Sequence, residues 1–422
     1  MAVGVRSDVT DSLGRSEFVQ TRLSSRAPFV AALAATAIAF TLGACSPQDP
    51  PATPVCTVRP AADLVPDAGV LFGVNLDWGA QSLAEFSDHL GHRPATVVSF
   101  TSVPLDDDDV RNVTWAADQV RAEGGILLLT LEPDQGLAAV TTEVVDGLAT
   151  LLATFNESGV PVIVRFGHEM NGSWYAWGQQ PEAYVRTFRA VAAALHERAP
   201  GSAMMWAPNY AGGYPFTGGD FGAPPGTPDA ALLDTDGDGA LTLADDAYSP
   251  YYPGDDVVDW VGMSLYHWGS APPWGETEMP EPGKFAAQLT GAYDGLAGDE
   301  TAAPDFYQVY GVDHGKPVAI PETAALVVTD EVLPWAQGLA VKQAWWRQVL
   351  APDVATRFPQ LKMVNWFEWD KHETEIGAHV DWTAASHPAL RDTFVADLPH
   401  DLVFADEPQK CLPSTSSPTP GP

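Results

Sequence analysis

A single (β/α)8 barrel domain with loop insertions is the fold that this α/β sequence of 422 residues predicts. Short apolar runs rich in Val, Ile and Leu alternate with longer amphipathic stretches, and eight such runs follow one another. Runs of that kind suit parallel strands covered on both faces, and strict alternation with helices suits a closed barrel. The rival is a doubly wound open sheet. No glycine-rich phosphate fingerprint follows the first run, which counts against its nucleotide-binding version.

In chain order, residues 1–45 read as an export signal. Arg15, Arg22 and Arg26 precede an apolar run over 27–42 that is too short and too alanine-rich for a membrane span. The run closes on Leu42-Gly43-Ala44-Cys45, a small-residue site that resembles the bacterial lipobox. That resemblance implies lipidation of Cys45 and a place on the outer face of the cell membrane, with release into the extracellular medium as the alternative. Residues 46–62 are Pro-rich and read as a spacer. The barrel is expected over 63–404. Residues 405–422 hold a cysteine and a Ser/Thr/Pro tail that reads as disordered. Of the three cysteines, Cys56 and Cys411 flank the barrel in a chain addressed to oxidising surroundings. They are expected to pair as a disulfide joining its ends.

Strands are expected over 70–76, 96–101, 126–131, 160–166, 203–207, 260–266, 317–321 and 362–366. Helices are expected over 109–123, 141–158, 181–198, 285–296 and 335–350. Pro181 and Glu182 open the third of these with favoured first-turn residues. A hydrophobic content of 45% with 14 tryptophans supplies a core and leaves aromatics for a binding surface. The formal charge of −34 repels nucleic acid and anionic lipid, and suits a neutral polymer or a cation such as Ca²⁺.

Barrel chemistry collects at the C-terminal ends of the strands. Just past the runs stand Asp77, Trp78, Glu132, His168, Glu169, Asn209, Tyr266, His267, Trp268, Glu322, Glu368, Trp369 and Asp370. Carboxylates and Asn bind hydroxyls, and Trp and Tyr stack on sugar faces, so a carbohydrate cleft is expected. The densest segment is Arg165-Phe166-Gly167-His168-Glu169-Met170-Asn171-Gly172-Ser173-Trp174-Tyr175-Ala176-Trp177. So many polar groups at the end of a buried strand must pair or face a cleft.

This segment resembles the fourth-strand signature of glycoside hydrolase family 26, whose members are (β/α)8 retaining enzymes that include many β-mannanases. The stretches 251–262 and 316–322 resemble the family's approach to the sixth strand and its seventh strand. The resemblance implies that Glu169 is the acid/base and Glu322 the nucleophile. It implies that Arg165 and His168 hold the two carboxylates, and that Trp174 and Tyr266 line the sugar site. Asn171 is counted among the substrate-binding residues, and either Trp366 or Trp369 is expected to form the platform under the sugar. Ser264 departs from the acidic residue common in mannan-cleaving members, which weakens the transfer of mannan specificity. Retention needs two carboxyls about 5–5.5 Å apart, one ionised and one protonated. Glu132, Asp134, Glu368 and Asp370 are read as subsite or supporting groups.

The expected activity is endo-acting, retaining hydrolysis of a β-linked polysaccharide, β-mannan or glucomannan first. Mixed-linkage β-glucan and β-xylan are the alternatives within the family. A non-catalytic carbohydrate-binding lipoprotein and an envelope transglycosylase are alternatives of other kinds. The partner is a glycan, the membrane is met only through the lipid anchor, and the expected state is a monomer. One Ca²⁺ is expected in the insertion at about 211–250. Asp234, Asp236, Asp238, the Ala240 carbonyl, Thr242 and Asp245 fit the EF-hand loop spacing, with Asp rather than Glu at the last position. This variant resembles dockerin loops. The histidines lack zinc-type spacing, and no catalytic metal or organic cofactor is expected.

Overall fold

The computed structural model describes residues 56–270, 275–295, 303–330, 333–374 and 376–411. The expected export signal with Cys45, most of the spacer and the Ser/Thr/Pro tail lie outside them.

Eight parallel strands close into a barrel. They are β1 (Val70–Leu76), β2 (Thr96–Ser102), β3 (Ile126–Glu132), β4 (Val162–Phe166), β5 (Ser202–Trp206), β6 (Trp260–Gly262), β7 (Val318–Thr323) and β8 (Leu361–Glu368). Closure comes from β8 on β1, in register from Leu71 opposite Met363 to Leu76 opposite Glu368. Helices α1 (Leu83–Leu90), α2 (Asp107–Glu123), α3 (Thr142–Glu157), α4 (Pro181–Arg198), α5 (Pro228–Leu233), α6 (Lys284–Leu289), α7 (Trp335–Val349), α8 (Val354–Arg357) and α9 (Pro388–Asp397) lie between and after the strands. A hairpin of β9 (Asp370–Glu373) and β10 (Ala378–Asp381) follows β8, and β11 (Leu402–Val403) runs parallel beside the start of β1.

Local chemistry sets the helix ends. Ser82 with Glu85 and Asp106 with Asp109 form capping boxes that open α1 and α2, and left-handed Gly91 and Gly124 end them. Two expectations are corrected. The sixth strand stops at Gly262. Backbone hydrogen bonds from Met263, Leu265 and His267 and isolated bridges at Ser264 and His267 continue its line, but the register of β7 shifts between Ile320 and Thr323 and regular pairing ends there. The helix expected over 285–296 is the short α6, which ends at Leu289 before Gly291 turns the chain at φ 65°.

Side chains alternate across each strand. One set, including Leu71, Val98, Leu128, Ile163, Met205, Trp260, Ala319 and Met363, fills the barrel interior, and Leu64 from a single helical turn closes the floor. The other set, including Phe72, Val97, Leu129, Val164, Ile320 and Val364, packs under the helices. The interior is tight enough that any side chain at Gly73 would collide with Asn365 and Thr96. Trp366 shares its facing with Val364. It is 1% exposed, packs on Trp346 of α7 and Phe394 of α9, and donates to the Trp382 carbonyl at 3.1 Å. The platform role considered for Trp366 is therefore corrected: its strand parity turns it away from the mouth.

The chain ends meet beneath the barrel. Cys56 and Cys411 are disulfide-bonded across 355 positions of sequence. The Cys56 amide donates to Glu157, the Ala61 amide to Pro200, and the Ala405 amide to Arg93. Cys56, Ala61 and Ala405 are thus tied to the barrel by backbone hydrogen bonds. A bridge of this kind stabilises by about 2–4 kcal/mol. Among the described residues no helix is long and apolar enough to cross a membrane.

Candidate active site

Arg165, an inward residue of β4, is fully buried and forms an ion pair through Nη1 with Glu322 at the end of β7. Its other terminal nitrogen donates to Ser264 Oγ at 2.7 Å. The second Glu322 oxygen accepts from the Tyr266 hydroxyl at 2.8 Å. The ion pair and the phenol hydrogen bond together fix the orientation of the Glu322 carboxyl. Ser264 is thus more than a departure from an acidic position: it anchors the guanidinium that anchors Glu322.

Glu169 sits in a turn that ordinary residues avoid, at φ 54°, right after Gly167 and His168. Its amide donates to Ala207 at the end of β5 at 2.8 Å, which ties the turn to the neighbouring strand. The carboxyl accepts from Trp174 Nε1 at 3.2 Å. Burial, and then the charge of Glu322, raise its pKa to about 7. Glu169 thus lies beside a carboxyl, that of Glu322, which a guanidinium and a phenol hold in place.

His168 is buried, and burial followed by the Arg165 charge pushes its pKa well below the usual range. The neutral ring packs among Phe100, Tyr175 and Trp177. Asn171 corrects its expected role. It is fully buried, and its amide both donates to the Asn209 carbonyl at 2.9 Å and accepts from the Asn209 amide at 2.8 Å. It clamps two strand ends together and leaves no group free for sugar.

Aromatics surround the pair. Trp174 meets Phe216 of the insertion edge-on at 5.2 Å, and Tyr175 stacks on Trp177 at 4.4 Å. Tyr266, Trp268, Phe367 and Trp382 form a second wall. Half-buried Trp369 stacks on Phe367 and donates to Asn75 at 3.3 Å, so of the two platform candidates it stands at the mouth. Phe216, Phe367 and Trp382 were not singled out from the sequence. Phe367 was findable, because its parity within β8 is opposite to that of Trp366. Trp382 follows a hairpin that the strand pattern did not signal.

The rival carboxylates are mostly occupied. Both Glu368 oxygens accept backbone amides, from Ala384 and Ala385 at 2.8 Å. Lys342 pins the same loop through the Asp381 and Thr383 carbonyls. Asp370 pairs with His379 at the surface, and Asp134 accepts from Ser102 at 2.8 Å. Glu132 is the exception.

In the insertion, Asp234, Asp236 and Asp245 bring carboxylate oxygens within 4.8 Å of one another. Asp238 caps the Ala240 amide, and the Thr242 hydroxyl accepts from the Ala244 amide. Left-handed Gly237 and Gly239 provide the tight loop.

Residues 126–217 match the model of glycosyl hydrolase family 26. The match covers less than a quarter of the chain. It holds Glu132, Arg165, His168, Glu169 and Trp174, together with the Phe216 edge of the insertion. The chain is 27% identical over 214 residues to the β-1,3-xylanase TXYA of a Vibrio species, covering 48% of this chain and 39% of that protein. It is 26% identical over 191 residues to Endoglucanase H of Acetivibrio thermocellus, covering 43% of this chain and 18% of that protein. The chain thus aligns with well under half the length of either relative. The solved structure of GH26C from Muricauda sp. MAR_2010_75 shares the fold, with a TM-score of 0.51 over 81% of this chain and 88% of that chain at 13% identity.

Proposed function

We propose that the chain is an endo-acting, retaining glycoside hydrolase of a β-linked polysaccharide, with β-mannan or glucomannan as first substrate. The observation that carries this reading is Glu322, held between Arg165 and Tyr266 beside Glu169, whose pKa burial and the Glu322 charge raise to about 7. Glu322 attacks the anomeric carbon while Glu169 passes its proton to the departing glycosidic oxygen. This leaves a glycosyl ester on Glu322. Esterification removes the negative charge that raised the Glu169 pKa. The carboxyl then ionises and takes a proton from the water that hydrolyses the ester. Trp174, Tyr175, Phe216, Trp268 and Trp369 suit several sugar-binding subsites, which favours endo action.

A second reading, β-xylan, is favoured by Ser264 standing where mannan-cleaving members often carry an acid, and by the β-1,3-xylanase among the similar proteins. A product profile of residues 46–422 on galactomannan, glucomannan, mixed-linkage glucan and β-1,3- and β-1,4-xylans decides between them. Oligosaccharides from one polymer name the substrate. Binding without release from any polymer defeats the hydrolase reading in favour of a carbohydrate-binding protein, and longer products than the substrate reveal transglycosylation.

The pH dependence follows from Glu169. The acid must be protonated, so kcat/KM is expected to fall about tenfold per pH unit above a pH of about 7. A flat profile from pH about 6 to about 9 would contradict its assignment as the acid.

The acidic loop is proposed to hold one structural Ca²⁺. Asp234, Asp236 and Asp245 supply hard oxygens around one point, and Asp238, the Ala240 carbonyl and Thr242 complete the expected set. EDTA is expected to lower the melting temperature by several degrees and Ca²⁺ to restore it. An unchanged melting curve, with no heat of Ca²⁺ binding, removes the ion from the account. Cys45 is proposed as the lipid anchor on the outer face of the membrane. Recovery of a Cys45→Ser variant in the membrane fraction, in the same amount as wild type, would rule that out.

A further inference from the structure

Glu132 ends β3 on the inner face of the barrel, in line with Leu128 and Thr130 and in register with Ser102 of β2. It is 8% exposed, and among the described residues nothing hydrogen-bonds its carboxyl, yet neither oxygen is sealed from solvent. Charged groups face it from several elements: Asp134 beyond its own strand, Glu322 from β7, Arg165 from β4 and Glu169 from the turn after β4, while β2 brings uncharged Ser102 opposite it. Tyr175, packed beside them, feels the charge of Glu132, Glu169 and Glu322 together. Arg165 spends its terminal nitrogens on Glu322 and Ser264 and offers Glu132 none of them.

An anion in this place would meet two other carboxylates with no donor to offset its desolvation. Burial first, then the charges of Asp134 and Glu322, push its pKa up to about 8. A carboxylic acid there has one O–H to give and a carbonyl oxygen to receive with. Sugar hydroxyls are matched partners for both.

We propose that Glu132 is a substrate-binding residue that meets the glycan beside Glu169 and Glu322 as an un-ionised acid and donates its proton in a hydrogen bond to a sugar hydroxyl. The proposal rests on the glycan-cleaving reading above and adds a donor to it. No bond is made or broken at Glu132, and its proton stays with the carboxyl through the reaction.

The test compares wild type with Glu132→Gln and Glu132→Ala. Isotope-edited NMR of glutamate-labelled protein should show a carboxyl titrating near pH about 8 that is lost in Glu132→Gln. On the polymer that wild type cleaves, Glu132→Ala is expected to lose ~30-fold in kcat/KM, and Glu132→Gln, which keeps a donor, ~3-fold. Above pH about 8 the logarithmic slope of kcat/KM in wild type should steepen from about −1 to about −2, while Glu132→Gln holds about −1. A Glu132 carboxyl already ionised at pH about 6, or an alanine variant as active as wild type, overturns the proposal. If wild type cleaves none of the polymers, the hydrolase reading fails on that result alone. The donor is then judged by the titration and by affinity for oligosaccharides of the same panel. Weaker binding in Glu132→Ala with recovery in Glu132→Gln sustains it, and equal affinity in all three overturns it.

Discussion

Glu322→Ala is expected to lower kcat on the cleaved polymer by ~10⁴-fold or more, since the group that attacks the anomeric carbon is removed. Glu368 is committed to the Ala384 and Ala385 amides, and Asp370 to His379. The truncation also strips Arg165 of its partner, so Glu322→Gln, which keeps an acceptor for Arg165 and Tyr266, separates lost chemistry from lost stability. Azide with an activated aryl glycoside tells the two glutamates apart. In Glu322→Ala it attacks the sugar directly and yields the inverted glycosyl azide. In Glu169→Ala the ester still forms on Glu322, and azide displaces it with overall retention. Swapped stereochemistry would exchange the roles. Wild-type turnover in Glu322→Gln would remove the nucleophile assignment altogether.

Arg165→Ala is expected to be nearly as damaging by a different route. Removing one member of a buried ion pair leaves the other charge uncompensated, at a cost of about 3–5 kcal/mol. Glu322 would also lose the contact that orients its carboxyl for attack. Arg165→Lys should recover little, because a point charge cannot reach Glu322 and Ser264 together as the guanidinium does. Urea unfolding and kcat/KM measured side by side check this. Adding Glu322→Gln to Arg165→Ala should restore part of the lost stability and none of the activity. A midpoint unchanged by Arg165→Ala would show that the pair is not the buried anchor described above.

Much of the barrel was legible because its strands are covered on both faces, which leaves unbroken Val/Ile/Leu runs such as those in β1, β3 and β4. The sixth strand was over-read where apolar residues near Met263 and Leu265 continued past the end of regular pairing. Glu169, Glu322 and Arg165 stood out because charge at the end of a buried run is costly unless it is used. Asn171 and Trp366 looked equally functional and serve the scaffold instead. Composition does not tell a polar side chain that binds a ligand from one that binds a neighbouring backbone. The partner of Asn171 lies 38 positions on, and only the fold brings it near. Parity would have excluded Trp366 had the register of β8 been known.

The two ends of the described chain leave the molecule together, and they do so from the side away from the mouth at the strand C-terminal ends. Cys56 rests against the turn that precedes β4, and the Cys411 segment follows β11, which pairs with the first residues of β1. A force carried into the domain through Cys56 or Cys411 therefore acts at one point below. Immobilisation by the ends leaves the opening turned outward, so an insoluble polymer can be approached by the anchored protein in the same attitude as by the free one.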